Sequence, residues 1–171
     1  MTITYHREMT QGRLREILHY NKRTGIMTWI AAPKYHPRML GKVAGSARLS
    51  RNGKYYVRVK VDGGNYALSR LAFLWVTGNW PKDQIDHRNG DSLDNRWGNL
   101  REATQMENCW NHKTRAKNSS TPMGIRKLPS GKFQCRITKN KVPHCIGTFS
   151  TLDAAVLVYT KKRKEFFGEF A

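Results

Sequence analysis

The sequence predicts an α+β protein: small antiparallel sheets with short helices, arranged in two modules. Three observations carry this. Alternating strand patterns broken by Asn-Gly and Asp-Gly-Gly turns fill 52–68. A strand, a polar loop, a returning strand and a capped helix follow over 84–112. The remaining stretch shows three strand-like runs and then one helical run. A chain of 171 residues suits such small domains. The expected division is a front domain over 1–112, a basic linker over 113–121 and a rear domain over 122–171.

Leu14, Ile17 and Leu18 at helical spacing predict a helix over about 11–20. Thr24-Gly25 turns the chain into a strand over 26–29. The prolines in 31–40 predict a loop, and 43–49 is weakly strand-like. Tyr55, Val57, Val59 and Val61 make one face of a hairpin strand, and Lys54, Tyr56, Arg58 and Lys60 make the other. That cationic face, with Arg58 and Lys60, is either solvated or laid on DNA phosphates. Ser69 is placed to cap a helix over 70–77, with Gly78 as its stop. Leu71, Ala72, Leu74 and Trp75 face the core, and Arg70 is in reach of a phosphate.

The stretch 84–112 is where acidic, imidazole and amide groups crowd together. Asp86-His87 ends a strand, Asn89-Gly90 turns, and Leu93 and Trp97 are the expected anchors of the loop. Asn99-Leu100-Arg101 returns as a strand. Thr104-x-x-Glu107 is a capping box, so a helix starts near Gln105 and carries Asn108 on its first turn. Asp86, His87, Asn99 and Asn108 can then converge. The carboxylate of Asp86 and the amide oxygen of Asn108 are hard ligands suited to Mg²⁺, with Mn²⁺ able to substitute. A neutral His87 can take a proton from water, and Asn99 can orient its ring. A calcium loop through Asp86, Asp91 and Asp94 fails, because its twelfth position is Trp97 where a bidentate glutamate is needed.

Thirty-one Lys and Arg against 12 Asp and Glu give a net charge of +19. Such an excess points to a polyanionic partner. Short apolar stripes and no signal peptide favour nucleic acid over a membrane, and a cytoplasmic setting. The three cysteines lack secretory context and are expected to be reduced thiols. In the linker, Lys113, Arg115 and Lys117 are expected to track the DNA backbone or fill a minor groove, the alternative being a solvated tether.

The order Asp86-His87, Asn99-Leu100 and Asn108 on a capped helix resembles the HNH endonucleases of the ββα-metal fold, in the His-Asn-Asn form of phage homing endonucleases. The resemblance implies Asp86 and Asn108 as metal ligands, His87 as general base and Asn99 as its positioner. It implies hydrolysis of double-stranded DNA to 5′-phosphate and 3′-OH, at a specific site, by a monomer or a DNA-induced dimer. Arg101 is carried as a DNA contact. The third motif position holds Asn108 rather than histidine, and Ser69 stands where relatives often have histidine. No Cys-x-x-Cys occurs, so no structural zinc is expected. The rival readings are a DNA-binding protein that no longer cuts, such as a regulator or packaging accessory, and an RNA binder.

In the rear domain, strands are expected over 123–127, 132–138 and 142–149, with a helix over 152–167 capped by Ser150-x-x-Asp153. Ala154, Ala155, Val158 and Phe166 are candidates to cover the sheet. The pattern GIRKLPSGKFQCRI…IGTFSTLDAAVLVYTKKRKEFFGEFA is similar to the plant ethylene-response-factor type of DNA-binding domain. That resemblance implies a sheet whose outer face enters the major groove. Arg126 matches a contacting arginine of the family. Gln134, Arg136 and Thr138 fall on the outer face, with residues that differ from the plant domains at Arg136 and Thr138. Ser130 and Cys145 stand where the family has tryptophan.

Overall fold

A computed structural model describes residues 9–31, 37–51, 53–111 and 121–170. It is a mixed helix-and-strand protein with small antiparallel sheets, as the turn and strand signals predict. Its residues fall into two compact units, 1–104 and 105–171.

In the first unit, helix α1 (Gln11–Ile17) begins on Thr10, whose hydroxyl accepts from the Arg13 amide at 3.3 Å. It stops short of the expected end near 20. Leu18–Asn21 instead forms strand β1, paired antiparallel with β2 (Ile26–Trp29). Leu18 and Tyr20 are buried while His19 and Asn21 are exposed, so the strand period wins over the helical one there.

Strands β3 (Ser46–Leu49), β4 (Tyr55–Val61) and β5 (Gly64–Ala67) form a sheet in that order. Val59 and Val61 are buried and alternate with the exposed Arg58 and Lys60, as the strand period predicts. Tyr55 departs from the expected inner face: it is 52% exposed at the strand's start.

Helix α2 (Leu68–Thr77) starts earlier than expected. Its cap position is Ala67, which gives no side-chain bond, and Ser69 is buried inside the first turn. Burial of Leu68, Leu71, Ala72 and Leu74 drives this helix more than capping does. Gly78 ends it with φ 83°, its amide donating to Leu74 O at 2.9 Å. These side chains join Leu14, Leu18, Tyr20, Met27 and Val59 in one core. Strands β6 (Gln84–His87) and β7 (Leu100–Ala103) then pair antiparallel, with Asp86 opposite Arg101.

In the second unit, helix α3 (Gln105–Asn111) starts where the capping box predicts. Strands β8 (Ile125–Lys127), β9 (Phe133–Lys139) and β10 (Val142–Phe149) form the expected three-stranded sheet, with β9 central. Helix α4 (Leu152–Phe167) is capped by Thr151, one residue after Ser150; its hydroxyl accepts from the Ala154 amide. Ala155 with Leu152, Val156 and Tyr159 meets Ile125, Cys135 and Ile146. Of the expected sheet-covering residues Ala155 is fully buried, and Ala154, Val158 and Phe166 are half-buried. The Trp110 ring of α3 lies tilted against Phe167 with centroids 5.0 Å apart, and the Arg163 guanidinium donates to Trp110 O. Among the described residues no helix is long and apolar enough to cross a membrane.

Candidate active site

Asp86 and His87 close strand β6 and are both buried, 4% and 7% exposed. Burying a charge demands compensation. For Asp86 it comes from its cross-strand partner: Arg101 Nε donates to Oδ2 at 2.8 Å, and Nη2 makes an ion-pair contact with the same oxygen at 2.7 Å. Arg101 was expected on DNA. Its side chain is instead 5% exposed and turned to Asp86, because antiparallel pairing sets the two directly opposite each other.

His87 Nε2 lies 3.3 Å from Asn95 Oδ1. Asn95 Nδ2 donates to Leu93 O at 3.1 Å, which fixes the oxygen toward the ring. An amide oxygen only accepts, so the neutral imidazole carries its hydrogen on Nε2 and its basic lone pair on Nδ1. Burial pushes the His87 pKa below its ordinary value, against the opposing pull of the Asn95 bond and of Asp86, Asp91 and Asp94. The net direction favours the neutral ring.

Asn99 acts one step away from the imidazole. Its Oδ1 accepts from the Asn89 amide at 3.0 Å, and its Nδ2 donates to Asn89 Oδ1 at 3.1 Å and Asp94 O at 2.7 Å. It thus ties together the two ends of the loop that delivers Asn95. Arg96 grips Asp94 at 2.6 Å and draws that carboxyl down to about 2.

The β1–β2 hairpin holds the same loop from the other side. Tyr20 Oη, buried and with its pKa pushed up by that burial, donates to Asn95 O at 2.6 Å. The Trp97 amide donates to Lys22 O at 3.0 Å. Gly25, with φ 74°, sits so close that a Cβ there would collide with the Asn95 carbonyl carbon and the Arg96 nitrogen. Trp97 anchors the loop against the core and lies 5.9 Å from the Phe73 ring, whereas Leu93, the other expected anchor, is 46% exposed.

The remaining predicted residues lie on other elements. Asn108 lies on α3 in the second unit, half-buried. Arg70 spends its guanidinium on the carbonyls of Asp83 and Pro81, at 2.7 and 3.3 Å. Arg58 and Lys60 are exposed on β4. Arg126 and Gln134 are register partners, and Arg136 and Thr138 are exposed on the same strand as Gln134. Lys113, Arg115 and Lys117 lie outside the described residues. Asn95 was missed by sequence reasoning. The only signal for it was an amide inside the Asp-Asn-Arg run of a loop that already held an imidazole at its entry.

Residues 66–109 match a family model described as HNH endonuclease. The chain is similar to an uncharacterized HNH endonuclease of Acanthamoeba polyphaga mimivirus, 34% identical over 121 residues. That match takes in 70% of this chain and 63% of the length of the mimivirus protein. It is also similar to Protein 3.8 of Escherichia phage T7, 30% identical over 105 residues, covering 57% of this chain and 84% of that protein. A solved structure described as DNA binding and cleavage by the HNH homing endonuclease I-HmuI aligns over 87% of this chain and 80% of its own, at 16% identity and a TM-score of 0.39.

Proposed function

We propose that the chain, whose residues 66–109 match a family model described as HNH endonuclease, is a metal-dependent, site-specific endonuclease of double-stranded DNA. The observation that carries this reading is a buried imidazole held against Asn95, next in sequence to a buried carboxylate clamped by arginine. His87 Nδ1 accepts a proton from the attacking water, the new P–O bond forms as the bond to the 3′ oxygen breaks, and that oxygen takes a proton from solvent, leaving 5′-phosphate and 3′-OH. Asn95 keeps the ring in the tautomer that does this. Asn99 holds the loop that keeps Asn95 in place.

The donor types present suit a hard divalent cation: a carboxylate from Asp86 and an amide oxygen from Asn108. Bound there, Mg²⁺ would supply charge neutralisation at the phosphate and the leaving oxygen. Arg101 fixes the carboxylate by binding Oδ2, so the ligand's direction is set before any cation arrives. The outward residues Arg126, Gln134, Arg136 and Thr138 of the second unit are proposed to read the major groove, and Lys113, Arg115 and Lys117 to follow the backbone. Homing by a phage-encoded enzyme is the proposed setting, supported by the viral source of both relatives.

Supercoiled plasmid with Mg²⁺ tests the reaction. Relaxation or linearisation that stops with chelator, leaving ends that a ligase can seal, is the expected result. Plasmid that is bound but stays supercoiled would replace the reading with a DNA-binding protein that does not cut.

Asn95→Ala is expected to lower kcat by about 10- to 100-fold with KM little changed, the scale of loss when a group behind a catalytic ligand is removed. The lost bond had raised the His87 pKa, so the acid limb of the rate profile should also move to lower pH. A kcat loss with an unmoved limb would mean that Asn95 only supports the fold.

A further inference from the structure

The front sheet carries a second feature that the cleavage chemistry does not use. A cavity of about 410 Å³ is lined by Trp29, Met39, Val43, Gly45, Ser46, Arg48, Arg58, Lys60 and Asn65. Its cations stand on one face of the sheet: Ser46 opposes Arg58, Arg48 opposes Tyr56, and Asn65 opposes Lys60. Among the described residues no acidic side chain lines it. Among the described residues Arg48, Arg58 and Lys60 have no ion-pair partner. Like charges so placed repel one another. Trp29 is a further lining residue, 5% exposed, and its buried indole N–H has no acceptor among the described residues. A buried donor without an acceptor costs free energy unless something arrives to accept from it.

We propose that this cavity is a phosphodiester-binding site, in which a stretch of the DNA strand seats its phosphates against Arg48, Arg58 and Lys60 and supplies the acceptor for the Trp29 indole. The inference rests on the nuclease reading above and deepens it by assigning where the substrate's backbone is held away from the scissile bond. The volume is that of a pocket for a small organic ligand, so it has room for a sugar-phosphate unit as well as a lone anion. Arg58 and Lys60 therefore act as paired contacts at one place on the strand, and not as a diffuse cationic coat.

The test separates this site from both net charge and catalysis. Binding of a short labelled duplex is measured in chelator across a salt series, with His87→Ala as the parent so that nothing is cut. Adding Arg58→Gln and Lys60→Gln is expected to reduce the slope of log K against log salt by about 2, since each lost phosphate contact removes roughly 0.9. Lys22→Gln with Arg23→Gln removes the same charge from an exposed turn and should leave the slope nearly unchanged. In the parent, the Trp29 indole resonance should shift on adding duplex, and that shift should vanish in the Arg58/Lys60 variant. All four substituted side chains are exposed, so folding is not at stake. Equal slope losses from both pairs, or an unchanged slope with an unmoved indole signal, would overturn the site while the nuclease reading stands. A parent that binds no duplex would take down both.

Discussion

Replacing His87 with alanine is expected to slow cleavage by about 10²–10⁴-fold, the usual contribution of a general base, with DNA affinity little changed. The direction of the pH dependence follows from the burial. The active form of a base is its neutral form. Burial disfavours the imidazolium, so the ring stays neutral to a lower pH than an ordinary histidine, whose pKa is 6.5. The acid limb of kcat/KM should therefore have its midpoint below 6.5, and a cation bound beside the ring would push it further the same way. Stability moves in the same window. A histidine with a depressed folded pKa contributes stability that is complete above the unfolded value and is lost as pH falls through the folded one. Melting temperatures recorded alongside the rates distinguish loss of chemistry from loss of fold. A His87→Ala protein that cuts at the wild-type rate, or an acid limb at or above 6.5 that disappears in the variant, would contradict a buried neutral base.

The front half of the site was legible because its residues announce themselves locally. Asp86-His87 before Asn89-Gly90 marks a strand end and a turn, and Thr104-x-x-Glu107 marks the next helix start, both of which the structure contains. The misreadings share a physical origin in tertiary pairing. Leu14, Ile17 and Leu18 fit a helix, yet Leu18 with Tyr20 fits a strand equally well, and only the presence of β2 as a partner decides. Ser69 has the chemistry of a cap but is drawn inward, because the apolar stripe of α2 starts at Leu68. Asn95 has no periodicity to betray it. Its role exists only because Tyr20 and Gly25, some seventy residues earlier, press on its backbone.

Arg101 offers the sharpest contrast between what composition suggests and what pairing dictates. In so basic a chain an arginine on a short strand reads as a DNA contact, but the β6–β7 register sets it opposite Asp86. Removing one member of a buried ion pair strands the other, at a cost of about 3–5 kcal/mol. Arg101→Met is therefore expected to lower stability by that amount, which for a unit of this size corresponds to a fall of roughly 12–40 °C in Tm. Asp86→Asn combined with Arg101→Met should recover much of the loss, since replacing both partners of a buried pair is often close to neutral. Urea unfolding of the three proteins measures this, and a soluble double variant keeps the comparison meaningful if the single one fails to fold. The double variant should remain unable to cut, because the carboxylate is also the proposed cation ligand. Were Arg101 a phosphate contact instead, Arg101→Met would leave Tm unchanged and reduce the salt slope of binding by about 1, and the double variant would be no more stable than the single one.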